Sequence, residues 1–321
     1  MIKSKVLYAD SSFENLMEFE EALKEVNATV VYGDCRTPDD VITQGFDAVC
    51  IITELIPLGE SVFKACPVLK LAYTNNVGTD LVDITAATRH GIRVCNNPDY
   101  NFREVAEHTV ALLFSLIRKI PFADAYVRSG GYDYKYLAPL RRFEGSNVGL
   151  LGFGRIGRSV AQKLAGFGVQ VLFYDPYVQD KHLNGATKTT LENLLHLSDY
   201  LCIHAPLTNE TYHLINEKRL GRMKTGAAVI NVARGEIIDT PALVDALKTG
   251  QLSGAALDVI EDHESLISDH PLCRMDNVIL TPHSAWLSKD ASEQCKNDLT
   301  EELVRFFNNE PLKALLNPEV L

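Results

Sequence analysis

The amino-acid sequence predicts an α/β protein made of two doubly wound parallel sheets. Three observations carry that prediction. Short runs rich in Val, Ile, Leu and Tyr recur along the 321 residues, with amphipathic stretches between them, which is the pattern of βαβ units. The runs are apolar throughout rather than alternating, as strands covered on both faces must be. The series also starts twice, with the poorly periodic segment SGGYDYKYLAPLRRFEGS (129–146) before the second start.

The first series runs KVLYAD (5–10), ATVVYGD (28–34), DAVCIIT (47–53), LKLAYT (69–74) and IRVCNN (92–97). Helix-like segments at 14–26 and 80–90 separate some of these strands, and a long helical pattern covers 103–119. The second series runs NVGLLGFG (147–154), VQVLFYD (169–175), DYLCIHA (199–205), GAAVINVA (226–233), GAALDVI (254–260) and NVILTPH (277–283). The last amphipathic segment, 291–308, is a helix with no strand after it, so it must pack on something already built.

Composition bounds the function. A hydrophobic fraction of 46% and a charged fraction of 23% are those of an ordinary globular chain. The net charge of −11 argues against a nucleic-acid partner, since phosphate backbones would be repelled. The uncharged run 109–117 is too short for a bilayer, which needs about 20 residues. The opening MIKSKVLYAD does not read as a signal peptide. The seven cysteines are odd in number and lack a C-x-x-C pair. Reduced buried thiols and a cytoplasmic setting are therefore expected, and the spacings are too wide for a metal cluster.

The segment GLLGFGRIGRSVAQKLAGFG (149–168) holds Gly152, Gly154 and Gly157 as G-x-G-x-x-G. Alone this is a weak match. Here it follows an apolar strand and opens a helix with Ile156, Val160, Leu164 and Phe167 at helical spacing. Asp175 closes the next strand, 18 residues after Gly157. The pattern points to a dinucleotide. Gly152 allows the tight turn, Gly154 lets the backbone approach a pyrophosphate, and Gly157 lets helix and strand pack closely. The N–H groups of Arg155 and Ile156 would meet phosphate oxygens at the positive helix end. Asp175 would accept the ribose hydroxyls and repel a 2′-phosphate, so NAD is expected rather than NADP.

Three strand ends carry candidate chemistry. Arg234 in INVARGEIID (230–239) leaves the carboxyl edge of the sheet, where a planar fork suits an α-keto carboxylate; a surface salt bridge is the alternative. Asp258 in ALDVIEDHE (256–264) ends its strand among apolar residues and needs a partner, for which a nicotinamide carboxamide is a candidate. His283 in ILTPHSAW (279–286) follows Pro282 and carries an imidazole, a group that ordinarily titrates near neutrality and so suits proton transfer to a carbonyl oxygen.

With these residues in view, the chain resembles the D-isomer-specific 2-hydroxyacid dehydrogenases over nearly its whole length. The match rests on residues 75–113, 149–176, 204–239 and 254–286. The PDY at 98–100, the RSGGYDY region and the Trp after His–Ser–Ala are most similar to the bacterial branch related to C-terminal-binding proteins. The resemblance implies a flavodoxin-like substrate domain, 1–101 with 288–321, and a Rossmann NAD-binding domain, 102–287, closing on a water-poor cleft. It implies that Arg234 binds the substrate carboxylate and carbonyl and that His283 is the acid/base. It places the backbone of Asn76, Val77 and Gly78 at the substrate carboxylate, with Trp286 also toward the substrate. Thr109, Ala205, Pro206 and Thr211 would lie along the cofactor, and Val232, Ala233, Asp258 and Ala285 near its nicotinamide.

One departure from the family pattern stands out. A Glu that hydrogen-bonds the catalytic His is expected at the fifth position after Asp258, where this chain has His263 with Glu264 next. Either Glu264 serves after a one-residue shift, or His263 occupies the relay. Tyr100 lines the pocket or caps a loop. Tyr126, Tyr132, Tyr134 and Tyr136 form a dimer arm or a surface loop, and His204 and His213 are structural. The expected activity is NAD-dependent interconversion of a small 2-keto acid and its D-2-hydroxy acid by a homodimer. The alternative is an NAD(H)-responsive interaction module with little or no turnover.

Overall fold

A computed structural model describes residues 3–13, 16–261 and 270–320. In chain order the first elements are β1 (Ser4–Tyr8), α1 (Met17–Glu25), β2 (Ala28–Tyr32), α2 (Pro38–Gly45) and β3 (Cys50–Thr53). Then come α3 (Glu60–Ala65), β4 (Leu71–Thr74), α4 (Ile84–Arg89) and β5 (Arg93–Cys95). They are followed by α5 (Phe102–Ile117), α6 (Ile120–Arg128), β6 (Asn147–Leu151), α7 (Arg155–Leu164) and β7 (Gln170–Tyr174). Next are β8 (His182–Leu183), β9 (Ala186–Lys188), α8 (Leu191–Leu197), β10 (Tyr200–Ile203), α9 (Glu217–Leu220) and β11 (Ala227–Asn231). The last are α10 (Thr240–Lys248), β12 (Leu252–Leu257), β13 (Val278–Leu280) and α11 (Lys289–Phe307).

The chain divides into two compact units, residues 1–101 with 288–321, and residues 102–287. The first unit holds a sheet of order β2-β1-β3-β4-β5, parallel throughout. The order reverses between β1 and β3, the doubly wound topology of flavodoxin-like folds. Strands β3 and β4 are buried at every position, which is why they read as unbroken apolar runs. The predicted terminal helix is α11. It begins at the Ser288 cap, whose hydroxyl accepts from Ala291 N–H, and buries Leu299, Leu303 and Phe306 against Val6, Tyr8, Cys50 and Ile52. The chain beyond it returns to the sheet. Asn317 accepts from Val94 N–H (2.8 Å) and donates to Ile92 O (2.9 Å), and Leu316 N–H donates to Val94 O. An edge strand left open is a template for wrong pairing, and this tail covers it.

The second unit holds a sheet of order β13-β12-β11-β10-β6-β7-β9-β8. Its strands are parallel except for β8, which pairs antiparallel with β9. Counting from β6, the interior follows the Rossmann order, with its reversal between β6 and β10. Ligands bind at the carboxyl ends of the strands flanking such a reversal. Periodicity misses β8 and β9, because strands of two and three residues are too short to display alternation. It also misses α2, whose start is a capping box between Thr37 and Asp40. No described helix is long and apolar enough to cross a membrane.

Candidate active site

The glycine turn lies at the sheet reversal of the second unit. Gly152 has φ +92°, a conformation L side chains rarely adopt, and an added Cβ would lie 2.7 Å from the backbone of His204 and Ala205 beyond β10. At Gly157 a Cβ would sit 2.5 Å from Gly152 O, so the absence of a side chain lets α7 close on the turn. At Gly154 an added Cβ meets nothing within 4 Å, which leaves the approach to the backbone clear. Gly154 is the N-cap of α7 and brings no capping side chain, so no side chain of its own stands at the positive end of the helix, where an anion is favoured. This cradle fits a dinucleotide pyrophosphate.

Asp175 sits beside the turn. Its carboxylate accepts from Phe153 N–H and from Tyr177 N–H, each at 2.9 Å, with the Phe153 contact inside the glycine motif itself. The loop after β10 is likewise shaped from within. Thr211 Oγ1 donates to Pro206 O (2.6 Å) and accepts from Thr208 N–H (2.7 Å), and Ala205 is buried. Thr109 on α5 is fully buried and donates to Val105 O.

Arg234 follows β11 and is half-buried. Its Nη1 donates to Ala233 O (2.8 Å), and Asn231 braces the turn by donating to Arg234 O and accepting from Ala233 N–H. The next residue must be glycine, since a Cβ at Gly235 would fall 2.1 Å from the backbone of Ile260 and Glu261. Val232 is buried and Ala233 half-buried at this strand end.

Asp258, 2% exposed, is the anchor of the His283 loop. One carboxylate oxygen accepts from Thr281 Oγ1 (2.5 Å) and Ser284 N–H (2.9 Å), and the other from Ala285 N–H (2.9 Å). His283 N–H donates to Asp258 O (2.9 Å). The loop is therefore gripped on both sides of His283, which is exposed and has φ +52°, an uncommon conformation for a non-glycine residue. His108 on α5 completes the cluster, with Nε2 3.1 Å from Thr281 Oγ1 and 3.6 Å from Asp258 Oδ1. Trp286 is half-buried against the core on the α5 side of the sheet. Sequence reasoning assigned no role to His108; its helical spacing on α5 gave no signal of the cluster. His263 and Glu264 lie outside the described residues.

In the first unit, the backbone of Asn76, Val77 and Gly78 follows β4, and Tyr100 is buried at 7% exposure. The neighbouring loop after β3 is capped by Asp10, whose carboxylate accepts from the N–H groups of Glu54, Leu55 and Ile56. His204 and His213 differ in environment. His213 Nε2 pairs with Glu261 at 2.8 Å. Both ring nitrogens of His204 are buried without a partner, and burial pushes its pKa down to about 3, so the ring is neutral.

The family of the D-isomer specific 2-hydroxyacid dehydrogenase, NAD binding domain, matches residues 110–285. A glyoxylate reductase from Thermofilum pendens is 41% identical over 85% of this chain and 81% of its own length. The chain belongs to the D-isomer specific 2-hydroxyacid dehydrogenase family. Two solved structures agree. D-lactate dehydrogenase from Aquifex aeolicus, complexed with NAD and lactic acid, is 32% identical with a TM-score of 0.86, covering 95% of this chain and 96% of that one. An NADPH-dependent glyoxylate/hydroxypyruvate reductase from Sinorhizobium meliloti is 28% identical with a TM-score of 0.87, covering 98% and 97%. The protein is an NAD-dependent oxidoreductase that interconverts a 2-keto acid and a 2-hydroxy acid. These relatives are reductases and dehydrogenases, which does not favour the interaction-module alternative.

Proposed function

We propose that the protein reduces a small 2-keto acid of the glyoxylate class with NADH, giving the D-hydroxy acid where the product is chiral. The observation that carries this is the grip of Asp258 on residues 281–285, which fixes the backbone on both sides of His283 at a strand end. The name of the Thermofilum pendens relative supports the substrate class. Bound NADH supplies the hydride. Gly152, Gly154 and the N–H groups of Arg155 and Ile156 hold its pyrophosphate, and Asp175 receives the ribose hydroxyls. The Arg234 guanidinium binds the substrate carboxylate and carbonyl as a planar fork. The His283 imidazole gives its proton to the carbonyl oxygen on reduction and takes it back from the hydroxyl on oxidation. Val77 and Gly78 N–H groups receive the carboxylate.

The same reading makes the protein a cytoplasmic homodimer. Six of its seven free cysteines are buried, and burial pushes the Cys202 thiol up to about 12, as suits a reducing compartment. Tyr132 and Tyr134, 94% and 83% exposed, lie in the chain between Tyr126 and Tyr136, whose rings stack, and this tyrosine-rich segment would offer an aromatic surface for a second copy. The test is NADH oxidation by the purified protein with glyoxylate, hydroxypyruvate, pyruvate, phenylpyruvate and branched-chain keto acids. Turnover strongest with the smallest acids, and D-lactate from pyruvate, is expected. Saturable NADH binding with no turnover of any of them would refute the reading.

A further inference from the structure

Two successive carbonyls after β4 are held from the same side. Asn76 O accepts from the backbone N–H of Asn97 at 2.9 Å. Val77 O accepts from Nδ2 of Asn96 at 2.8 Å. A trans peptide is planar, so its N–H points away from its C=O. The Val77 and Gly78 N–H groups therefore both face away from residues 96 and 97. Successive N–H groups turned to one side form a concave nest for an anion. Residues 76–78 are half-buried, so this backbone is not sealed inside the core of its unit.

The support beneath the nest is rigid. Asn76 Nδ2 donates to Glu54 O (2.6 Å), and Asn75 N–H donates to Thr53 O (2.8 Å). The buried Asn75 carboxamide accepts from Asn97 Nδ2 (3.2 Å) and Cys295 Sγ (3.3 Å) and donates to Tyr8 Oη (2.9 Å). The grip on Asn76 O comes from main chain and survives side-chain substitution. The grip on Val77 O comes from a side chain. Asn96, itself 7% exposed, is thus the point at which the orientation of the Gly78 N–H can be released without altering the chain path.

We propose that Asn96 is a positioning residue for substrate: its carboxamide holds the Val77 carbonyl so that the Gly78 N–H is turned to the substrate carboxylate before binding. The proposal rests on the reading that the 76–78 backbone receives that carboxylate. A donor already aimed at an anion costs no reordering when the anion arrives. Asn96→Ala frees the peptide. Asn96→Asp keeps the shape but sets a carboxylate against the Val77 carbonyl, two acceptors facing each other.

The test measures KM for glyoxylate, kcat, the Kd of NADH and the thermal midpoint for both variants. A hydrogen bond to a charged group governs affinity by about tenfold or more. Both variants should raise KM by at least that factor, Asp the more so, while kcat falls less and NADH affinity is retained. An unchanged KM, or loss of NADH affinity in parallel with KM, overturns the proposal. The underlying reading is checked on the unmodified enzyme by following the Val77 and Gly78 amide resonances of the NADH complex as oxamate is added. If those amides do not shift, the carboxylate assignment fails. If they shift and the Asn96 variants bind glyoxylate normally, the role of Asn96 alone fails.

Discussion

Replacing Asp258 tests the link between a buried carboxylate and the loop that carries His283. Three donors converge on it, at 2.5, 2.9 and 2.9 Å. In Asp258→Asn, the retained oxygen can still serve Thr281 and Ser284, but the new amide meets Ala285 N–H, donor against donor. One buried unpaired donor costs about 1–3 kcal/mol. In Asp258→Ala all three donors lose their acceptor, and Ala285 is 4% exposed, so water cannot easily replace it. The same rule gives a loss of roughly 3–6 kcal/mol, discounted because Thr281 and Ser284 are half-buried. That is a large share of a typical stability of about 5–15 kcal/mol. Trp286 is the single Trp and belongs to the unit 102–287, so its emission in a urea titration reports on this unit. Turnover should fall in both variants, because residues on either side of His283 lose their anchor. Equal destabilisation by Asn and Ala, or a loss below about 0.5 kcal/mol in either, would refute the reasoning.

Cofactor choice follows from Asp175. Like charges about 4 Å apart cost about 4 kcal/mol at an effective dielectric near 20, so NADH should be preferred to NADPH by at least a hundredfold in kcat/KM. Asp175→Ser should narrow that gap and also weaken NADH, since Phe153 N–H loses its acceptor; an unchanged ratio would remove Asp175 from the ribose. Arg234→Lys keeps charge and loses the fork, so KM for keto acid should rise strongly with NADH affinity nearly intact; equal loss of both would make Arg234 a support of the fold. His204 makes stability pH-dependent. Its folded pKa lies near 3, below the unfolded value of about 6.5, so the unfolded chain binds the extra proton. The contribution is complete above about pH 6.5 and is lost by about 1.4 kcal/mol per unit as pH falls toward 3. His204→Phe should flatten that part of the urea midpoint against pH, and an unaltered slope would show that the ring is not held neutral.

The strands were legible because complete burial makes them apolar without interruption; β3, β4, β10 and β11 are examples. The glycine turn was legible because each missing side chain answers to a nearby backbone or an open approach. Other features were hidden for physical reasons. His108 meets Asp258 and Thr281 across long sequence separations, and nothing in local spacing announces such a contact. Asn96 and Asn97 looked like the polar end of a strand, whereas one holds a carbonyl by its side chain and the other by its main chain. Asp258 invited a ligand as partner, and the structure shows its carboxylate engaged by the loop it anchors. Asp175, read for the ribose alone, also braces the turn through Phe153.

The covering of the first sheet by α11 and Asn317 has a consequence for biosynthesis. Residues 1–101 emerge from the ribosome first, yet Leu299, Leu303 and Phe306 finish one side of their core and Asn317 closes their edge strand. Residues 102–287 form their unit from one uninterrupted stretch. Domains usually fold in the order of synthesis. Here the earlier segment must wait with apolar surface uncovered while the later one completes itself, and this interval is when a chaperone has most to bind. A released chain ending at residue 287 should resist protease across 102–287 and be cut freely within 1–101; equal resistance of both would show that the first sheet closes without its returning helix.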